Sequence, residues 1–425
     1  MQTLQVIVIL AIFLAGVALM MTKKMPAILA LPCMGILIAA VAGVPFISSD
    51  AETQSITSYV IAGGASRLAS TIIVTVFGAI FAKVIQKEGI SDAIIRKAAE
   101  LAGDKPVMIA LALTAATALI FTAMSGAGPV IMVAQIAIPL LLSAAIEPIV
   151  AASLVLFGLN IGLLFNVSQY QIYVDTIGMD MEVIKTSSIV MGLICAVVTV
   201  AYILINVNKK TVRSTWAMNA GSNAKKVNPV AMLMPLLPIV LVFFFKWNAE
   251  TSLLAAIIVT ALITKPSSSI QVLSSSMVEG IKDVAGVIGL MIGIGILLNG
   301  VAAQATSALM QPIISVILPS NPIMYIVIFT VLSPLALYRG PLNMYGLGSG
   351  LANIFLTAGK LSAPAVGMAL RSTSVVQCVS DPTNTQNVIV ADYAKVDVND
   401  ILKSTLPYTM VMALGILIYA AVALF

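Results

Sequence analysis

Histidine is absent from this sequence, and cysteine and charged residues are scarce. Of 425 residues, 60% are apolar and 9% are charged, whereas soluble domains carry about 25% charged residues. Without histidine the chain has no histidine-ligated metal site and no histidine proton relay, so carboxylates are left to exchange protons near neutral pH. The three cysteines, Cys33, Cys195 and Cys378, lie far apart in apolar runs. This favours buried small side chains over a disulfide or a metal site.

Long apolar runs take up most of the chain. One example is LQVIVILAIFLAGVALMM at 4–21, and about 20 such residues span the hydrocarbon core of a bilayer. This run follows no basic region and has no small-residue cleavage site, so it is predicted to remain as the first helix. The predicted full crossings lie at 4–21, 26–45, 58–85, 146–178, 187–208, 229–245, 251–264, 283–303, 364–391 and 404–425. The sequence therefore predicts an all-α polytopic membrane protein, placed in the plasma (inner) membrane.

Two further apolar segments, 106–144 and 322–359, are too long for one crossing. Each has a Gly- and Pro-containing kink near its middle, MSGAGP at 124–129 and YRGPLNMYG at 338–346. Irregular backbone at membrane depth is tolerated where it is buried in protein or lines a water-filled cavity. Both segments are therefore predicted to be re-entrant hairpins, which return to the side from which they entered.

Lys and Arg are distributed unevenly between the two predicted faces. The segments assigned to the cytoplasm hold fifteen of them and are 22–25, 86–105, 209–228, 265–282 and 392–403. The opposite face holds Lys185, Lys246 and Lys360. Because cytoplasmic loops are enriched in basic residues, this bias predicts that both termini lie outside the cytoplasm. It also explains the net charge of +5 without a nucleic-acid partner.

The order of elements in the first half of the chain recurs in the second half. The differences 384 − 166 and 403 − 185 both equal 218, which aligns Asn166 with Asn384 and Lys185 with Lys403. Each half reads as three helices, a hairpin, a broken helix and a closing helix. Five crossings is an odd number, so the second copy is predicted to be inverted, as in many secondary transporters whose sites lie at the repeat interface.

The predicted domain boundaries follow from this repeat. The first repeat, 1–208, has scaffold helices at 1–105 and a hairpin and broken helix at 106–208. A cytoplasmic linker at 209–228 joins it to the second repeat, 229–425. That repeat has scaffold helices at 229–303 and a hairpin and broken helix at 322–425.

The polar stretch CVSDPTNTQN at 378–387 interrupts the second broken helix. Pro382 removes a backbone donor and pushes Asp381 out of α geometry, which frees carbonyl groups and a helix N-terminus for ligands. We predict that Thr383 and Asn384 bind a substrate. The coupling-ion residues are predicted to be Ser380, Asp381, Thr385 and Asn387. The alternative is a proline kink whose polar residues only repair the backbone.

The other predicted substrate residues lie in the first broken helix and at the hairpin tips. They are Asn166, Ser168 and Gln169, then Ser125, Gly126 and Gly128, then Arg339, Gly340 and Asn343. Polar helix packing would explain the first group as well, and a plain turn would explain the second. An arginine in an apolar hairpin is costly, so Arg339 is predicted to bind a substrate carboxylate or to pair with Asp381.

The remaining features are a weaker binding candidate and several residues or segments with structural interpretations. Arg371 on the second broken helix is a weaker candidate for binding, whereas Arg67 and Lys83 are predicted to reach the membrane interface without a functional role. Asp175 is predicted to be a solvated residue near a helix end. The segment 88–103 is predicted to be an amphipathic interfacial helix. The small-xxx-small pair Gly289 and Gly293 predicts close helix packing.

The layout of helices, hairpins and broken helices resembles the ion transporter superfamily, which includes citrate–proton symporters, gluconate permeases, sodium–dicarboxylate symporters and sodium/proton antiporters. Two stretches are similar to its citrate and gluconate branches: VFGAIFAKVIQKEGISDAIIRKAAELAGDKP at 76–106 and SDPTNTQNVIVADYAKVDVNDILKSTLPYTM at 380–410. In sodium-coupled members, polar hairpin tips bind carboxylate and ion, and Ser125 and Asn343 are the counterparts here. The resemblance also implies a homodimer and an elevator-like movement.

These observations lead to one main expectation and two alternatives. The main expectation is a secondary active transporter that moves a small organic anion such as citrate, a dicarboxylate or gluconate across the membrane together with H⁺ or Na⁺. The alternatives are a cation/proton antiporter on the same scaffold and a passive channel. The sequence shows no nucleophile–base pair and no phosphate loop, so we expect no enzyme activity and no cofactor beyond the transported ion. The expected partners are the anion, the lipid bilayer and a second copy of the chain.

Overall fold

The computed structural model describes residues 2–22, 24–50, 53–207, 227–264 and 266–425, and all regular structure in these ranges is helical. The predicted all-α class is confirmed. The predicted linker at 209–228 lies almost entirely outside the described residues. The helices of the first half are α1 (Gln2–Met21), α2 (Ala27–Val41), α3 (Gly64–Arg67), α4 (Ala69–Lys87), α5 (Ile90–Ala102), α6 (Pro106–Phe121), α7 (Ala127–Ser143), α8 (Pro148–Phe165), α9 (Gln171–Ile177) and α10 (Met181–Asn206).

The second half has nine α-helices among its described residues. They are α11 (Leu237–Phe243), α12 (Ala249–Thr264), α13 (Ser269–Ala302), α14 (Gln304–Ile317), α15 (Pro322–Leu332), α16 (Leu347–Thr357), α17 (Ala363–Ser380), α18 (Thr385–Ala394) and α19 (Val398–Ala423). Short 3₁₀ segments precede α11 at Ala231–Leu236 and follow α15 at Ser333–Arg339.

Six of the predicted crossings contain helices long and apolar enough to span a bilayer. These helical spans are Thr3–Met20, Ile56–Lys87, Pro148–Phe165, Met181–Asn206, Pro266–Ala302 and Val398–Ala423. The crossings predicted at 26–45, 229–245 and 251–264 contain shorter apolar helices. The crossing predicted at 364–391 is interrupted between α17 and α18.

The structure corrects the predicted start of the crossing at 283–303. Residues 269–282 were assigned to a cytoplasmic loop, but they form the first part of α13, a helix of 34 residues. The segment is polar enough to suggest a loop, yet it has no proline between Ser269 and the apolar part, and so nothing ends the helix. At about 1.5 Å per residue, α13 is longer than the hydrocarbon core is thick.

Glycines let α13 approach its neighbours closely. The predicted close packing at Gly289 and Gly293 is confirmed, because both face α2, at Ile28 and Pro32 respectively. Further along, Gly300 lies against the backbone of Gly35, and Gly295 lies against the backbone of Gly64. With α4, these helices form the scaffold side of the molecule.

The third predicted crossing is not one regular helix. A π-helix at Ile56–Gly63 leads into α3, and Leu68 (φ −102°, ψ 27°) separates α3 from α4. At this break the Asp175 carboxylate accepts hydrogen bonds from Thr71 N at 3.0 Å and Thr71 Oγ1 at 2.7 Å. Asp175 therefore caps α4, and the expectation of a merely solvated residue was wrong.

The two halves share several local dimensions. The helices α8 and α17 have 18 residues each, and α10 and α19 have 26 residues each. Asp180 caps α10 by accepting Glu182 N at 2.9 Å, and Asp397 caps α19 by accepting Asn399 N at 2.7 Å. That backbone donor holds the pKa of Asp397 below its ordinary value. The shared dimensions support the predicted repeat, and its inverted orientation stays a prediction.

Candidate functional site

Both broken helices are interrupted by the same local geometry. Asn166 follows α8 with φ −73° and ψ 113°, and Asp381 follows α17 with φ −76° and ψ 112°. The side chain of each accepts a backbone N–H two residues later, from Ser168 at 3.0 Å and from Thr383 at 2.9 Å. These are Asx turns, which offer the backbone an alternative to the helix. Asn166 thus corresponds structurally to Asp381, not to Asn384 as the sequence alignment had it.

Each turn residue also binds the hairpin of its own half. Asn166 Nδ2 donates to Phe121 O at 3.0 Å and to Met124 O at 3.1 Å, just before the tip of the α6–α7 hairpin. Asp381 Oδ1 accepts a hydrogen bond from Tyr338 N at 3.0 Å, in the turn between α15 and α16. The interruptions therefore hold the hairpins in position, in addition to exposing polar groups.

A cavity of about 970 Å³ lies between the scaffold helices α4 and α13 and the hairpins and broken helices. Its wall also includes one end of α1 and the start of α2. The structure brings eight of the predicted site residues to this cavity: Ser125, Gly126, Gly128, Gln169, Asn343, Asp381, Asn384 and Thr385. They come from both hairpin tips and both broken helices, so one space joins the four elements.

Apart from Arg339, the other predicted residues lie outside the cavity wall and bind protein groups. Ser168 Oγ donates to Asn166 Oδ1, and Thr383 Oγ1 donates to Asp381 Oδ1 at 2.8 Å. Ser380 Oγ lies 2.9 Å from Thr405 Oγ1 and 3.0 Å from Thr409 Oγ1.

Asn387, Gly340 and Arg339 complete the predicted set. Asn387 Nδ2 donates to Val379 O at 2.9 Å. Gly340 N donates to Leu337 O at 2.9 Å inside the hairpin turn, where a Cβ atom would overlap the carbonyl of Leu335. The backbone of Arg339 ends the 3₁₀ segment, and its side chain lies outside what the structure describes.

The cavity is also lined by a buried arginine, Arg371, which the sequence made a weaker candidate for binding. Arg371 on α17 is 4% exposed, and its guanidinium donates to Ser187 Oγ at 2.5 Å and Ser188 Oγ at 2.6 Å. It also lies 5.7 Å from the centroid of the Tyr173 ring. Among the side chains that the structure describes, no carboxylate lies within ion-pair distance of Arg371. A buried cation held only by neutral groups is suited to an incoming anion.

Asp381 presents a second unusual group to the same cavity. The residue is fully buried, and its Oδ1 accepts all three of the hydrogen bonds that the side chain makes. Its Oδ2 is buried without a hydrogen-bond partner among the described residues. An unpartnered carboxylate oxygen in a buried site is costly unless it binds a cation or a proton.

The scaffold wall of the cavity carries an ion pair that sequence reasoning missed. Lys83 Nζ on α4 lies 2.8 Å from Asp283 Oδ2 on α13, and both residues line the cavity. Lys83 was expected to reach the interface, which is wrong because packing between the two helices directs it to this pair. Arg67 was also expected to reach the membrane interface, and in the structure it donates to Asn299 Oδ1 on α13 at 2.7 Å.

Interactions across the cavity wall link the two halves of the chain. The hydroxyl of Tyr345, in the second hairpin, donates to Gln169 Oε1 in the first broken helix. The Tyr173 hydroxyl, on α9, lies 3.2 Å from Ser374 Oγ on α17. The cavity is therefore bounded by residues of both halves in direct contact.

Comparison with known proteins identifies the fold. No protein-family model and no curated protein sequence matches this chain. Among solved structures, the chain is similar to the Alcanivorax borkumensis YdaH transporter, with a TM-score of 0.63, 13% identity, and coverage of 93% of this chain and 97% of that one. It is also similar to Neisseria gonorrhoeae MtrF, described with a class of antimetabolite efflux pumps, with a TM-score of 0.56, 13% identity, and coverage of 94% and 95%. The chain shares the fold of these two membrane proteins over nearly its whole length.

Proposed function

We propose that this protein is a secondary active transporter of a small organic anion, coupled to H⁺ or Na⁺. The observation that carries the proposal is Arg371, a buried guanidinium that lines a 970 Å³ cavity and contacts only neutral groups among the described residues: two serine hydroxyls, the carbonyl of Ile184 at 3.3 Å and an aromatic ring. A planar guanidinium fork suits a carboxylate, and an ionisable group at membrane depth is a functional group by default.

The position of the cavity fits alternating access. It lies where the scaffold helices meet the hairpins and broken helices, so a movement of one set against the other would change which side the cavity faces. Both similar structures belong to transporters, which supports transport over an enzymatic role. Elevator-like movement, a homodimer, the plasma membrane and non-cytoplasmic termini are parts of this proposal.

Within the proposal, two groups have distinct roles. Arg371 binds the substrate carboxylate, and hairpin-tip and broken-helix residues such as Ser125, Asn343 and Asn384 complete the site. Asp381 provides the coupling charge, because its Oδ2 is a buried carboxylate oxygen without a hydrogen-bond partner among the described residues and would be stabilised by a cation or a proton. Citrate, dicarboxylates and gluconate, the substrates of the branches that the sequence resembles, are the anions to test first.

Counterflow in proteoliposomes tests the proposed function. Purified protein is reconstituted with unlabelled citrate, succinate, gluconate or lactate inside, and uptake of the same labelled anion is measured. At least one anion is expected to exchange, and an inward H⁺ or Na⁺ gradient is expected to concentrate it. If no anion exchanges while a Na⁺ gradient drives proton flux, the anion transporter proposal is wrong.

A cation/proton antiporter is the second candidate, and the unpartnered oxygen of Asp381 favours it as well. The two candidates differ in what moves with the cation. An antiporter acidifies or alkalinises the vesicle lumen in response to Na⁺ alone, with no anion added. A passive channel, by contrast, equilibrates the anion but does not concentrate it under an imposed gradient.

A further inference from the structure

Four charged side chains line the cavity among the residues that the structure describes: Lys83, Arg371, Asp283 and Asp381. Two are cations and two are carboxylates. The cations differ in their partners, since Arg371 has no carboxylate within ion-pair distance among the described side chains, whereas Lys83 is paired with Asp283 at 2.8 Å. How many carboxylates the cavity accepts depends on whether Lys83 is free to bind one.

The Lys83–Asp283 pair is positioned to meet a ligand. The Lys83 side chain is 15% exposed and the Asp283 side chain is 40% exposed. Gly128, in the tip of the first hairpin, lies close to both side chains: a Cβ atom added there would be 3.4 Å from Asp283 Oδ2 and 3.8 Å from Lys83 Nζ. The pair therefore contacts the hairpin tip that the proposed function assigns to substrate binding.

The same two helices carry a second ion pair next to this one. Lys87 Nζ on α4 lies 2.7 Å from Glu279 Oε1 on α13, one helical turn away from Lys83 and Asp283. Neither Lys87 nor Glu279 lines the cavity. The same two helices thus carry one ion pair outside the cavity and one in its wall.

We propose that Asp283 determines substrate specificity by occupying Lys83, so that the cavity accepts an anion with one carboxylate and rejects an anion with two. This inference rests on the proposed function. With Asp283 in place, a second carboxylate near Lys83 enters beside a like charge and finds that this cation is already paired. Leaving a charge desolvated and unpaired is strongly unfavourable, and such a repulsive element is a common source of specificity.

The probes are pairs of anions that differ in the second carboxylate: gluconate with glucarate, and butyrate with succinate. Counterflow is measured in proteoliposomes, and the quantity compared is the dicarboxylate-to-monocarboxylate ratio of transport efficiency. The wild type is expected to prefer the monocarboxylate. In Asp283→Asn, which keeps the shape and removes the charge, the ratio is expected to rise roughly ten-fold, the size of one charge-assisted hydrogen bond.

Two further variants identify the group responsible. Adding Lys83→Gln to Asp283→Asn is expected to return the ratio to the wild-type value, since the freed cation is then gone. Glu279→Gln is the matched control, because it removes the carboxylate from the ion pair that the same two helices carry outside the cavity, and it is expected to leave the ratio unchanged.

The outcomes separate this inference from the proposed function. Wild-type protein that moves none of the four probes contradicts the inference, and it contradicts the proposed function as well if citrate and lactate also fail to exchange. Wild-type protein that moves glucarate or succinate as well as its monocarboxylate partner contradicts the inference and leaves the proposed function standing. The inference is also contradicted, and the proposed function is left standing, if Asp283→Asn leaves the ratio unchanged or if the double variant keeps the raised ratio.

Discussion

At the residue scale, Arg371 and Asp381 are held in opposite ways. The guanidinium of Arg371 donates to two serine hydroxyls at 2.5 and 2.6 Å, while Asp381 has, among the residues that the structure describes, one oxygen with three donors and one with none. The first arrangement fixes the orientation of a cation without neutralising it. The second leaves one oxygen of a fixed carboxylate available for a cation or a proton.

Arg371→Gln is expected to weaken anion binding by roughly ten-fold or more, because a hydrogen bond to a charged group is replaced by one to a neutral amide. The measurement is the anion concentration that gives half-maximal counterflow. Arg67→Gln is the matched control: Arg67 donates to Asn299 at 2.7 Å and does not line the cavity. An unchanged concentration dependence in Arg371→Gln would remove this residue from the site.

Asp381→Asn is expected to abolish gradient-driven accumulation of the anion while exchange of anion for anion continues. The amide keeps an oxygen for the three donors at Oδ1, but it puts an uncharged group at the position of Oδ2. Asp175→Asn is the control, because both Asp175 oxygens already accept hydrogen bonds, from Thr71 and from Gln171 at 2.8 Å. Accumulation by Asp381→Asn at the wild-type level would exclude Asp381 from coupling.

The contacts of individual residues could be predicted only in part from the sequence. The break at Asp381 follows from Pro382, which acts on adjacent residues, so it was predicted. The partners of Arg371 were not predicted, because Ser187 and Ser188 lie 184 and 183 residues away in the chain. No local pattern encodes a hydrogen bond over such a separation, and only the packing of α10 against α17 and α19 brings these groups together.

At the scale of helices, glycine contacts set how closely α13 lies to its neighbours. A Cβ atom at Gly300 would overlap the backbone of Gly35 on α2, so Gly300→Ala must push the two helices apart. The expected cost is about 1–3 kcal/mol, typical of overpacking, and it is measured as a lower unfolding temperature in detergent. Gly286→Ala on the same helix is the control, because no heavy atom lies within 4 Å of its Cβ position. Equal unfolding temperatures in the two variants would contradict the close contact.

The boundaries of the elements show where the sequence pattern was informative. Apolar runs with clear ends, such as 4–21 and 404–425, correspond to helices close to the predicted lengths. The Ser-rich segment before residue 283 was assigned to the cytoplasm and left out of the predicted crossing, yet it continues α13 because helix formation requires only that backbone hydrogen bonds be unbroken. Polarity predicts exposure to water better than it predicts the end of a helix.

At the scale of the whole molecule, the cavity is the feature that joins the two halves and the scaffold. The hairpins were predicted from their Gly- and Pro-containing kinks, and their meeting with the broken helices was predicted from the repeat. The charged wall formed by Lys83 and Asp283 was not predicted, because each residue sits within a long helix without a local signal. Contacts between helices far apart in sequence depend on tertiary packing, which periodicity does not specify.

The most direct test of the central claim is whether an organic anion occupies this cavity. Ser125→Cys places a thiol at the half-buried hairpin tip, in a background with Cys33, Cys195 and Cys378 replaced by serine. Its rate of alkylation by a maleimide is measured with and without the transported anion, and Ser49→Cys, exposed outside the cavity, controls for the reagent. We expect the anion to slow alkylation at position 125 alone, and to lose this effect when Arg371→Gln is added. Equal rates with and without the anion at position 125 would contradict the account.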